Sequence, residues 1–211
     1  MSKNQFIQLE ILSDAAFSRG DGKAGIVDIE VEHDELGLPF LGGKTLRGLL
    51  RDSWLSMKHC FSEFSFSEDR IFGHEADFDE CSILRIGDAV VDTETRRWIE
   101  VAESRMPNPV DPTMVLASLT DVRVQTSEDR ITGAPEETTL RSVRVIVRGL
   151  TLRSPLYWLA EPTPQDLCCL ALALRATRHA GLARNRGRGH IRLSLDGDNH
   201  RTLQLIQGGV A

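Results

Sequence analysis

The order of strand and helix patterns in the sequence predicts an α+β fold with a ferredoxin-like core. In several short segments apolar residues alternate with polar ones, which is the period of a β-strand. In two longer segments apolar residues recur every three to four positions, which is the period of an α-helix. Each helix falls between strands along the chain. Two helices interleaved with the strands of a mostly antiparallel sheet form the layout shared by ferredoxin-like domains and RNA-recognition motifs.

The predicted strands are short and are bounded by turn-forming residues. The first is QFIQLEIL, an apolar run rich in strand formers that ends before Ser13 and Asp14. In IVDIEVEHD the apolar Ile29 and Val31 alternate with acidic residues, so this strand would have one apolar and one acidic face. The predicted strand segments are residues 5–12, 26–34, 81–92, 143–159 and 190–195.

The two predicted helices cover residues 42–59 and 163–181. In the first, GGKTLRGLLRDSWLSMKH, leucines and a tryptophan form an apolar stripe opposite basic residues. In the second, TPQDLCCLALALRATRHAG, Thr163 is the predicted N-cap, Pro164 lies in the first turn and Gly181 follows the end of the helix.

Residues 93–141 differ in character from the rest of the chain. They include three closely spaced prolines in MPNPVDP and many charged residues. The stretch TDVRVQTSEDRITGAPEETTLRS within them is typical of a β-hairpin. We therefore expect a single domain over residues 1–211 with a hairpin inserted within 93–141.

The composition indicates a globular protein outside the membrane. Hydrophobic residues make up 41% and charged residues 27% of the 211 residues, which are ordinary globular values. No apolar run approaches the roughly 20 residues that span a bilayer, and MSKNQFIQLEIL lacks the pattern of a secretory signal. The four cysteines include an adjacent pair and no CxxC, which argues against a disulfide framework. We expect a cytoplasmic location and no membrane partner.

A basic, glycine-rich stretch stands out from an acidic chain. The whole sequence has 31 acidic and 25 basic residues, a formal net charge of -6. The stretch HAGLARNRGRGHIRLSL, residues 179–195, nevertheless contains four arginines and no acid. Glycine lets backbone N–H groups approach an anion, and arginine adds forked donors that match phosphate oxygens. The stretch favours phosphate or nucleic-acid binding, and the alternative is a simple turn with solvated arginines.

The start of the first predicted helix offers a second place for an anion. In GLPFLGGKTLRGLLRDSW, residues 37–54, a Gly-Gly turn leads into a helix whose first turns carry Lys44 and Arg47. Helix N-termini bind anions through N–H groups that have no partner within the helix. The alternative is an amphipathic core helix with ordinary exposed basic residues.

Four stretches, in order along the chain, resemble the RAMP superfamily of CRISPR-associated proteins. GLPFLGGKTLRGLLR resembles the family signature that begins Gly-Leu-Pro, although Gly42 and Lys44 stand where a proline and a serine are usual. GLARNRGRGHIRL resembles the family's C-terminal glycine-rich loop, and RIFGHEADFDECSILRIGDAVV and DRITGAPEETTLRSVRVIVRGLTL resemble the segments between. The resemblance is strongest to the repeated backbone subunit of type III effector complexes.

The resemblance implies an RNA-recognition fold with a thumb hairpin, stacked with copies of itself or related subunits into a filament along a guide RNA. The start of the first helix and the glycine-rich loop would hold guide-RNA phosphates, and the thumb would wedge between guide and target bases. Such a groove reads phosphate and shape and leaves sequence to base pairing. Guide RNA, target RNA and other effector subunits are the implied partners. The implied RNA-binding residues are Lys44, Thr45, Arg47 and Arg51 of the helix, Arg130, Ile131 and Thr132 of the thumb, and Arg184, Asn185, Arg186, Gly187, Arg188 and Gly189 of the loop.

The resemblance also implies a catalytic aspartate. In cleaving members of the family, a single aspartate shortly before the Gly-Leu-Pro motif cleaves target RNA with a divalent metal, and in GIVDIEVEHDELGLPF the matching residue is Asp28. Its carboxylate would be the metal ligand, and hard oxygen ligands suit Mg²⁺ or Mn²⁺. No organic cofactor is expected. Asp21 in the glycine-flanked turn RGDGK and Asp34 are the rivals. Without the family context, Asp28, Glu30, Glu32 and Asp34 would be the solvated face of an exposed strand.

The sequence leaves three functions open. The first is a guide-RNA-binding subunit that is also a metal-dependent endoribonuclease acting on target RNA. The second is a non-catalytic structural subunit of the same architecture. The third is a small-ligand or phosphate-binding α+β protein. A zinc site is disfavoured because the spacing of its possible ligands, His59, Cys60, His74 and Cys81, is irregular.

Overall fold

The computed structural model describes residues 5–18, 20–23, 25–61, 64–73, 82–105, 110–126, 133–134 and 139–209. Its helices and strands are β1 (Phe6–Ile11), α1 (Gly43–Met57), α2 (Ser65–Phe72), β2 (Leu84–Ile86), α3 (Thr93–Arg105), α4 (Pro112–Leu119), β3 (Thr120–Gln125), β4 (Arg141–Ile146), β5 (Thr151–Trp158), α5 (Pro164–Ala176), β6 (Ile191–Leu195) and α6 (Asn199–Gly209). A short 3-10 turn, Lys58–Cys60, follows α1. None of the helices in this described part is long and apolar enough to cross a membrane.

Four strands form the main sheet in the order β2-β5-β1-β6, and each neighbouring pair is antiparallel. Along the chain, the strands of this sheet and the helices α1 and α5 follow one another as β1-α1-β2-β5-α5-β6. This succession is that of a ferredoxin-like core, so the predicted fold class is confirmed. The β3-β4 pair forms a separate two-stranded sheet, which lies between β2 and β5 in the sequence.

The core lies between the main sheet and the helices α1 and α5. On the central strand β1, Ile7, Leu9 and Ile11 are buried, whereas the residues between them are partly exposed on the other side of the sheet. Leu50 and Trp54 of α1 are fully buried in the same core. Strand alternation and helical spacing therefore each place one apolar face in the core, as the sequence predicts.

The predicted strand over residues 26–34 is wrong. The segment makes only isolated bridges to its neighbours. The Asp28 N–H donates to the Ser142 carbonyl, whereas the Glu32 N–H donates to the Phe17 carbonyl. Because these partners lie in two separate parts of the chain, the alternation of apolar residues does not produce a ladder.

Two other predicted strands are shorter than expected. Residues 143–159 contain parts of two strands, β4 and β5, which belong to different sheets and are separated by a turn at Gly149, with a φ of 97°. Residues 81–92 contain the strand β2, of 3 residues, followed by isolated bridges at Ala89 and Val90. Helices α2, α3, α4 and α6 are absent from the predicted elements.

Residues 93–141 contain α3, α4 and β3. Strand β3 pairs with β4, from Thr120 opposite Ile146 to Gln125 opposite Arg141, and so forms an antiparallel hairpin. The single domain over the whole chain and the assignment of this segment as an insertion stay predictions. The thumb residues named from the resemblance lie outside the described residues, and they are Arg130, Ile131 and Thr132.

A capping box holds the N-terminus of α5 and also ties α5 to α2. Thr163 Oγ1 accepts from the Asp166 N–H at 3.1 Å, and Asp166 Oδ2 accepts from the Thr163 N–H at 2.8 Å. The Arg70 guanidinium of α2 donates to the same buried carboxylate at 3.0 Å. Burial raises the pKa of Asp166, but the hydrogen bonds from Thr163 and Arg70 help to outweigh burial and hold the pKa below its ordinary value.

We expect Asp166→Asn to lower the free energy of unfolding by about 3 kcal/mol at pH 7, because Arg70 loses its buried charge partner. A carboxyl whose pKa is lowered on folding contributes stability above its unfolded pKa, about 4, and this stability is lost as the pH falls through the folded pKa. The difference between wild type and variant should therefore shrink in acid. Urea unfolding at pH 7 and at about pH 3 measures this difference in the free energy of unfolding. The control is Glu94→Gln, which replaces an exposed acid on α3. An equal difference at both pH values would show that the charge is not the cause.

Candidate nucleic-acid interface

Residues 12–18, called here the junction segment, connect three regions that the sequence singles out. Main-chain hydrogen bonds join the junction segment to the arginine-rich loop, to β4 of the hairpin and to the acidic segment 26–34. These bonds, donor first, are Gly189 N to Asp14 O (2.8 Å) and Leu182 N to Ala16 O (3.0 Å) from the loop, Ala15 N to Ile146 O (3.0 Å) and Ile146 N to Ala15 O (2.7 Å) with β4, and Glu32 N to Phe17 O (2.7 Å) from the acidic segment. One stretch of backbone therefore fixes the relative positions of the basic loop, the hairpin and the acidic segment.

The arginine-rich loop, residues 181–189, is anchored at its ends and open in the middle. Gly181 and Gly189 have φ values of 85° and 67°, and a Cβ at Gly189 would lie 2.0 Å from the Ala180 carbonyl oxygen. Between them, Arg184, Asn185, Arg186 and Gly187 are exposed and Arg188 is half-buried. Among the residues that the structure describes, none forms an ion pair with any of the three arginines. The loop therefore presents positive charge that the fold does not neutralise.

A carboxylate from another segment already bonds the N-terminus of α1. Its N-cap, Gly42, has no side chain that could bond the first turn, and Asp88 Oδ1 accepts from the Gly43 N–H at 2.7 Å instead. A phosphate at this helix start would compete with Asp88 for the amide. We therefore expect phosphate contacts here from the exposed side chains of Lys44 and Thr45 rather than from the helix N–H groups.

The other two residues of α1 named from the resemblance are less accessible. Arg47 is half-buried, and it donates to the Phe72 carbonyl at the C-terminal end of α2 at 3.0 Å. This bond satisfies one of the carbonyls that a helix end leaves without a partner. Arg51 is also half-buried. Arg47 thus joins α1 to α2, and RNA binding by Arg47 and Arg51 stays a prediction.

A cavity of about 550 Å³ joins the start of α1 to the arginine-rich loop. Lys44 and Thr45 line it from α1 and Gly181 lines it from the loop, while Glu32 and Asp88 add two carboxylates. Cations match the phosphates of an RNA backbone, and carboxylates can accept from its 2′-hydroxyls. The structure therefore brings the two predicted phosphate-binding motifs to one cavity.

Asp28 is an exposed carboxylate held by one residue of β4. Its Oδ2 accepts from the Ser142 N–H at 2.6 Å and from the Ser142 hydroxyl at 2.9 Å. These hydrogen bonds, with the nearby charge of Arg141, hold the pKa of Asp28 below its ordinary value, so the carboxylate is ionised at neutral pH. Ser142 pairs with Val124 at the end of the hairpin ladder that leads into the predicted thumb tip.

The two rival aspartates lie in different surroundings. Asp34 Oδ1 accepts from the N–H groups of Leu36 at 2.9 Å and Leu38 at 3.0 Å, and its Oδ2 pairs with Arg96 of α3. Asp34 therefore holds a turn against α3. Asp21 is exposed and lines a separate cavity of about 330 Å³ together with two glutamates and a histidine. Of the two, Asp21 remains the alternative to Asp28.

An ion pair also attaches the acidic segment to the hairpin. Arg144 Nε of β4 donates to Glu30 Oε1 at 2.6 Å, and their side chains are only 13% and 15% exposed. Arg144 also donates to Thr120 Oγ1 of β3 at 3.3 Å. The interpretation of this segment as a row of solvated acids is therefore wrong for Glu30 and Asp34, which both pair with arginines.

No group of three or more His, Cys, Asp or Glu side chains within the described ranges could hold a metal ion. Asp28 would therefore supply one ligand to a cation, and water and RNA phosphates would supply the others. Mg²⁺ is commonly bound in this way, by one or two carboxylates together with substrate phosphates, so Asp28 fits the cation when RNA is present. His59 and Cys60 are exposed, and His74 and Cys81 lie outside the described residues.

Two residues that shape this surface are not among the predicted site residues. Ser142 holds Asp28, and Asp88 holds the start of α1. They lie 114 and 45 positions from their partners in the sequence. Asp88 belongs to the stretch RIGDAVV, which carries part of the family resemblance, whereas no local pattern around Ser142 indicates its contact.

Two solved structures are among those that share this fold. A chain of the cryo-EM structure of the Type III-B Cmr-beta bound to cognate target RNA superposes with a TM-score of 0.67 and 11% sequence identity, covering 97% of this chain and 99% of that chain. A chain of the Type III-B Cmr-beta in the apo state gives a TM-score of 0.67 and 12% identity, covering 92% of this chain and 97% of that chain. Identities this low show a shared fold.

The family comparison covers most of the chain. No curated protein matches the chain at a significant level. The model of the RAMP superfamily matches residues 8–192, which include the junction segment, the acidic segment, the start of α1 and the arginine-rich loop. This chain therefore belongs to the RAMP superfamily.

Proposed function

We propose that this RAMP protein is a guide-RNA-binding backbone subunit of a type III-like CRISPR effector complex, and that it cleaves complementary target RNA through Asp28. The junction segment carries the proposal, because its main chain is bonded to the acidic segment that contains Asp28, to β4 of the hairpin and to the arginine-rich loop. The likeness to chains of the Type III-B Cmr-beta structures supports the same assignment.

The arginine-rich loop is the main surface for the guide RNA. An acidic protein binds RNA where its local field is positive, and Arg184, Arg186 and Arg188 supply such a field. Guanidinium groups match phosphate oxygens in geometry as well as in charge. Lys44 and Thr45 extend this surface across the cavity at the start of α1. Because these contacts read phosphate, recognition of the target sequence is left to base pairing with the guide.

The hairpin suits contact with bases. Val124 of β3 and Leu140, which precedes β4, are 60% and 67% exposed. Exposed apolar side chains can pack against bases that have been unstacked from their neighbours. The stretch of sequence between β3 and β4 includes the predicted thumb residues Arg130, Ile131 and Thr132. In the proposed function, the hairpin separates guide from target bases and brings a target phosphate towards Asp28.

A divalent cation, Mg²⁺ or Mn²⁺, would bind at Asp28 together with RNA phosphate oxygens. When bound, the cation would stabilise the negative charge that develops at phosphorus. Ser142 keeps Oδ2 of Asp28 fixed and ionised. Since no donor among the described residues is bonded to Oδ1, that oxygen is available to the cation.

An apolar cavity of about 530 Å³ between α3 and α4 suits a protein partner. Trp98 and Met114 line it, and they are 64% and 66% exposed. Large apolar side chains exposed around a cavity are typical of surfaces that other proteins cover. We assign this surface to neighbouring subunits of the complex, either copies of this chain or other effector subunits.

A non-catalytic structural subunit is the second candidate function. One observation favours it: Asp28 does not belong to a cluster of metal-binding side chains in the described part of the chain. A cleaving and a non-catalytic subunit would bind RNA through the arginine-rich loop in the same way, so an assay of target-RNA cleavage distinguishes the two functions.

RNA binding is tested by replacing Arg184 and Arg186 together with alanine. Each phosphate contact to a single strand contributes about 0.7 to the slope of log K against log salt concentration, so the slope should fall by about 1.4. We expect affinity for single-stranded RNA to fall by about 10-fold at low salt. Fluorescence anisotropy with labelled RNA measures both quantities. The matched control is Arg97→Ala with Arg148→Ala, since both arginines are exposed and neither belongs to the loop nor lines its cavity.

The outcomes of this test distinguish an error in the assignment of the loop from an error in the proposed function. Wild-type protein that binds no RNA would exclude the proposed function. A loop variant that binds RNA as well as the control would leave the function standing and exclude the loop as its RNA-binding surface.

A further inference from the structure

A basic cavity lies between the C-terminal end of α5 and the start of β6. Its volume is about 440 Å³. Three arginines and a histidine line it, and no carboxylate of a described residue does. The chain as a whole has a net charge of -6, so a cluster of cations without acids stands out and points to a function for its positive charge. The four side chains are Arg175, Arg178, His190 and Arg192.

The fold does not neutralise the arginines of this cavity. Arg178 is exposed and forms no ion pair with any described residue. Arg192 pairs with Glu10 at 3.3 Å, but their side chains are 47% and 25% exposed, and such solvent-exposed pairs contribute little. Arg175 donates to the neutral amide oxygen of Asn199 at 3.5 Å. The cavity therefore keeps a positive field that an anion can neutralise.

A pair of histidines connects this cavity to the arginine-rich loop. The rings of His179 and His190 stack with their centroids 5.3 Å apart, and their backbones form a bridge. Burial lowers the pKa of His179, and positive charges from the cavity and from the loop, including Arg178 and Arg184, lower it further. Because His190 lines the cavity and directly follows Gly189, the last residue of the loop, the cavity and the loop are adjacent, and together they are called here the basic track.

Main-chain contacts fix the walls of the cavity. The His190 carbonyl accepts from the Leu12 N–H at 2.8 Å, and the His190 N–H donates to Ser13 Oγ at 3.0 Å. The Ile191 N–H donates to the Arg178 carbonyl at 2.9 Å. The cavity is thus attached to the junction segment, and walls that are already ordered reduce the entropy lost on binding.

We propose that this cavity binds a phosphate group of the RNA chain where that chain continues beyond the arginine-rich loop. The inference rests on the proposed function, since the RNA is the one that the loop holds. Guanidinium groups and the His190 ring supply donors for the phosphate oxygens. RNA is favoured over an acidic peptide because the cavity is adjacent to the loop in the basic track, and single strands follow such grooves over several nucleotides.

The test replaces Arg178 and Arg192 together with alanine in the full chain. For single-stranded RNA, we expect the salt slope to fall by about 1.4 and the affinity to fall by about 10-fold at low salt. Arg97→Ala with Arg148→Ala is the control, because it removes the same charge from exposed positions elsewhere. Circular dichroism and the urea midpoint confirm that each variant is folded.

A second readout is the pKa of His179, whose ring stacks on His190 of the cavity. RNA bound there should raise the pKa of His179, because the negative phosphate favours the protonated ring. An NMR titration of the ring protons measures this pKa in wild type and in the Arg178→Ala, Arg192→Ala variant. We expect the rise in the wild type and its loss in the variant. A rise that persists in the cavity variant would come from RNA at the loop.

The outcomes distinguish this inference from the proposed function. If the cavity variant binds RNA like the control while the loop variant is impaired, the inference is overturned and the proposed function stands. Wild-type protein that binds no RNA would exclude both. Inorganic phosphate and an acidic peptide are titrated in parallel. If either shifts the His179 resonances and RNA does not, the cavity serves another ligand and the RNA assignment is wrong.

Discussion

Asp28→Asn is expected to lower the rate of target-RNA cleavage by at least about 100-fold, while RNA affinity stays within about twofold of wild type. The asparagine keeps the size of the side chain and can still accept from Ser142, but it lacks the charge that a divalent cation requires. The complex assembled with guide RNA is incubated with labelled complementary RNA and Mg²⁺, and the products are separated by length. Regularly spaced cuts by the wild type should disappear in the variant.

Two further variants test whether the effect is specific to the charge of Asp28 and how far it depends on the hydrogen bond from the Ser142 hydroxyl. Glu35→Gln removes an exposed acid from the same region of the chain and should cleave like wild type. Ser142→Ala removes the hydroxyl bond to Oδ2 but keeps the backbone N–H bond, so a smaller loss is expected. Because Ser142 lowers the pKa of Asp28, its replacement should move the acid limb of the pH–rate profile to higher pH.

Each remaining result has a defined meaning. Cleavage that survives Asp28→Asn would contradict the assignment, and Asp21→Asn would then test the rival aspartate. A wild-type complex that binds target RNA stably and makes no cuts would establish the non-catalytic subunit instead.

Gly189→Ala is expected to lower the free energy of unfolding by about 3 kcal/mol and to weaken RNA binding. The φ of Gly189 is 67°, which disfavours a side chain. A Cβ at this position would also lie 2.0 Å from the Ala180 carbonyl oxygen, which belongs to the backbone and cannot rotate away. The strain would detach one end of the arginine-rich loop from the junction segment. Urea unfolding and RNA anisotropy on the same samples measure the two effects.

Gly187→Ala is the matched control. Gly187 lies in the same loop with a φ of 79°, but a Cβ there would meet nothing within 4 Å. The expected loss is therefore about 1 kcal/mol, from the backbone conformation alone. Equal losses at the two glycines would mean that the contact with Ala180 does not anchor the loop.

The fold was predictable where one local pattern decides the structure. The helical spacing of α1, the Thr163 cap of α5 and the run of strand formers in β1 each involve neighbours in the sequence, and each appears in the structure. Residues 26–34 show the same alternation as a strand, yet their hydrogen-bond partners come from separate parts of the chain. Nothing in a local pattern specifies such partners. For the same reason α2, which is tied to α5 by the bond from Arg70 to Asp166, was not foreseen.

For the candidate site, the sequence predicted residue types and missed their environment. The arginine-rich loop and Asp28 follow from composition and from the family resemblance. The hydrogen bonds from Ser142 that lower the pKa of Asp28, and the bond from Gly43 to the carboxylate of Asp88, depend on contacts between distant segments. The second contact changes the chemistry expected at α1, because an amide that already bonds a carboxylate is not a vacant anion site.

The junction segment also determines which changes this surface can tolerate over evolutionary time. Its links to the loop and to β4 include bonds between peptide groups, so its exposed side chains can be exchanged while those bonds persist, whereas the buried Ala15, Ala16 and Phe17 tolerate less change. The side chains of the attached loops can therefore change, and the ligand preference with them, while the backbone arrangement of the loops is kept. Proline is the exception, because it has no N–H. At Leu12 or Ala15, whose N–H groups donate to His190 and Ile146, a single proline would remove a hydrogen bond that any other residue at the same position can still make.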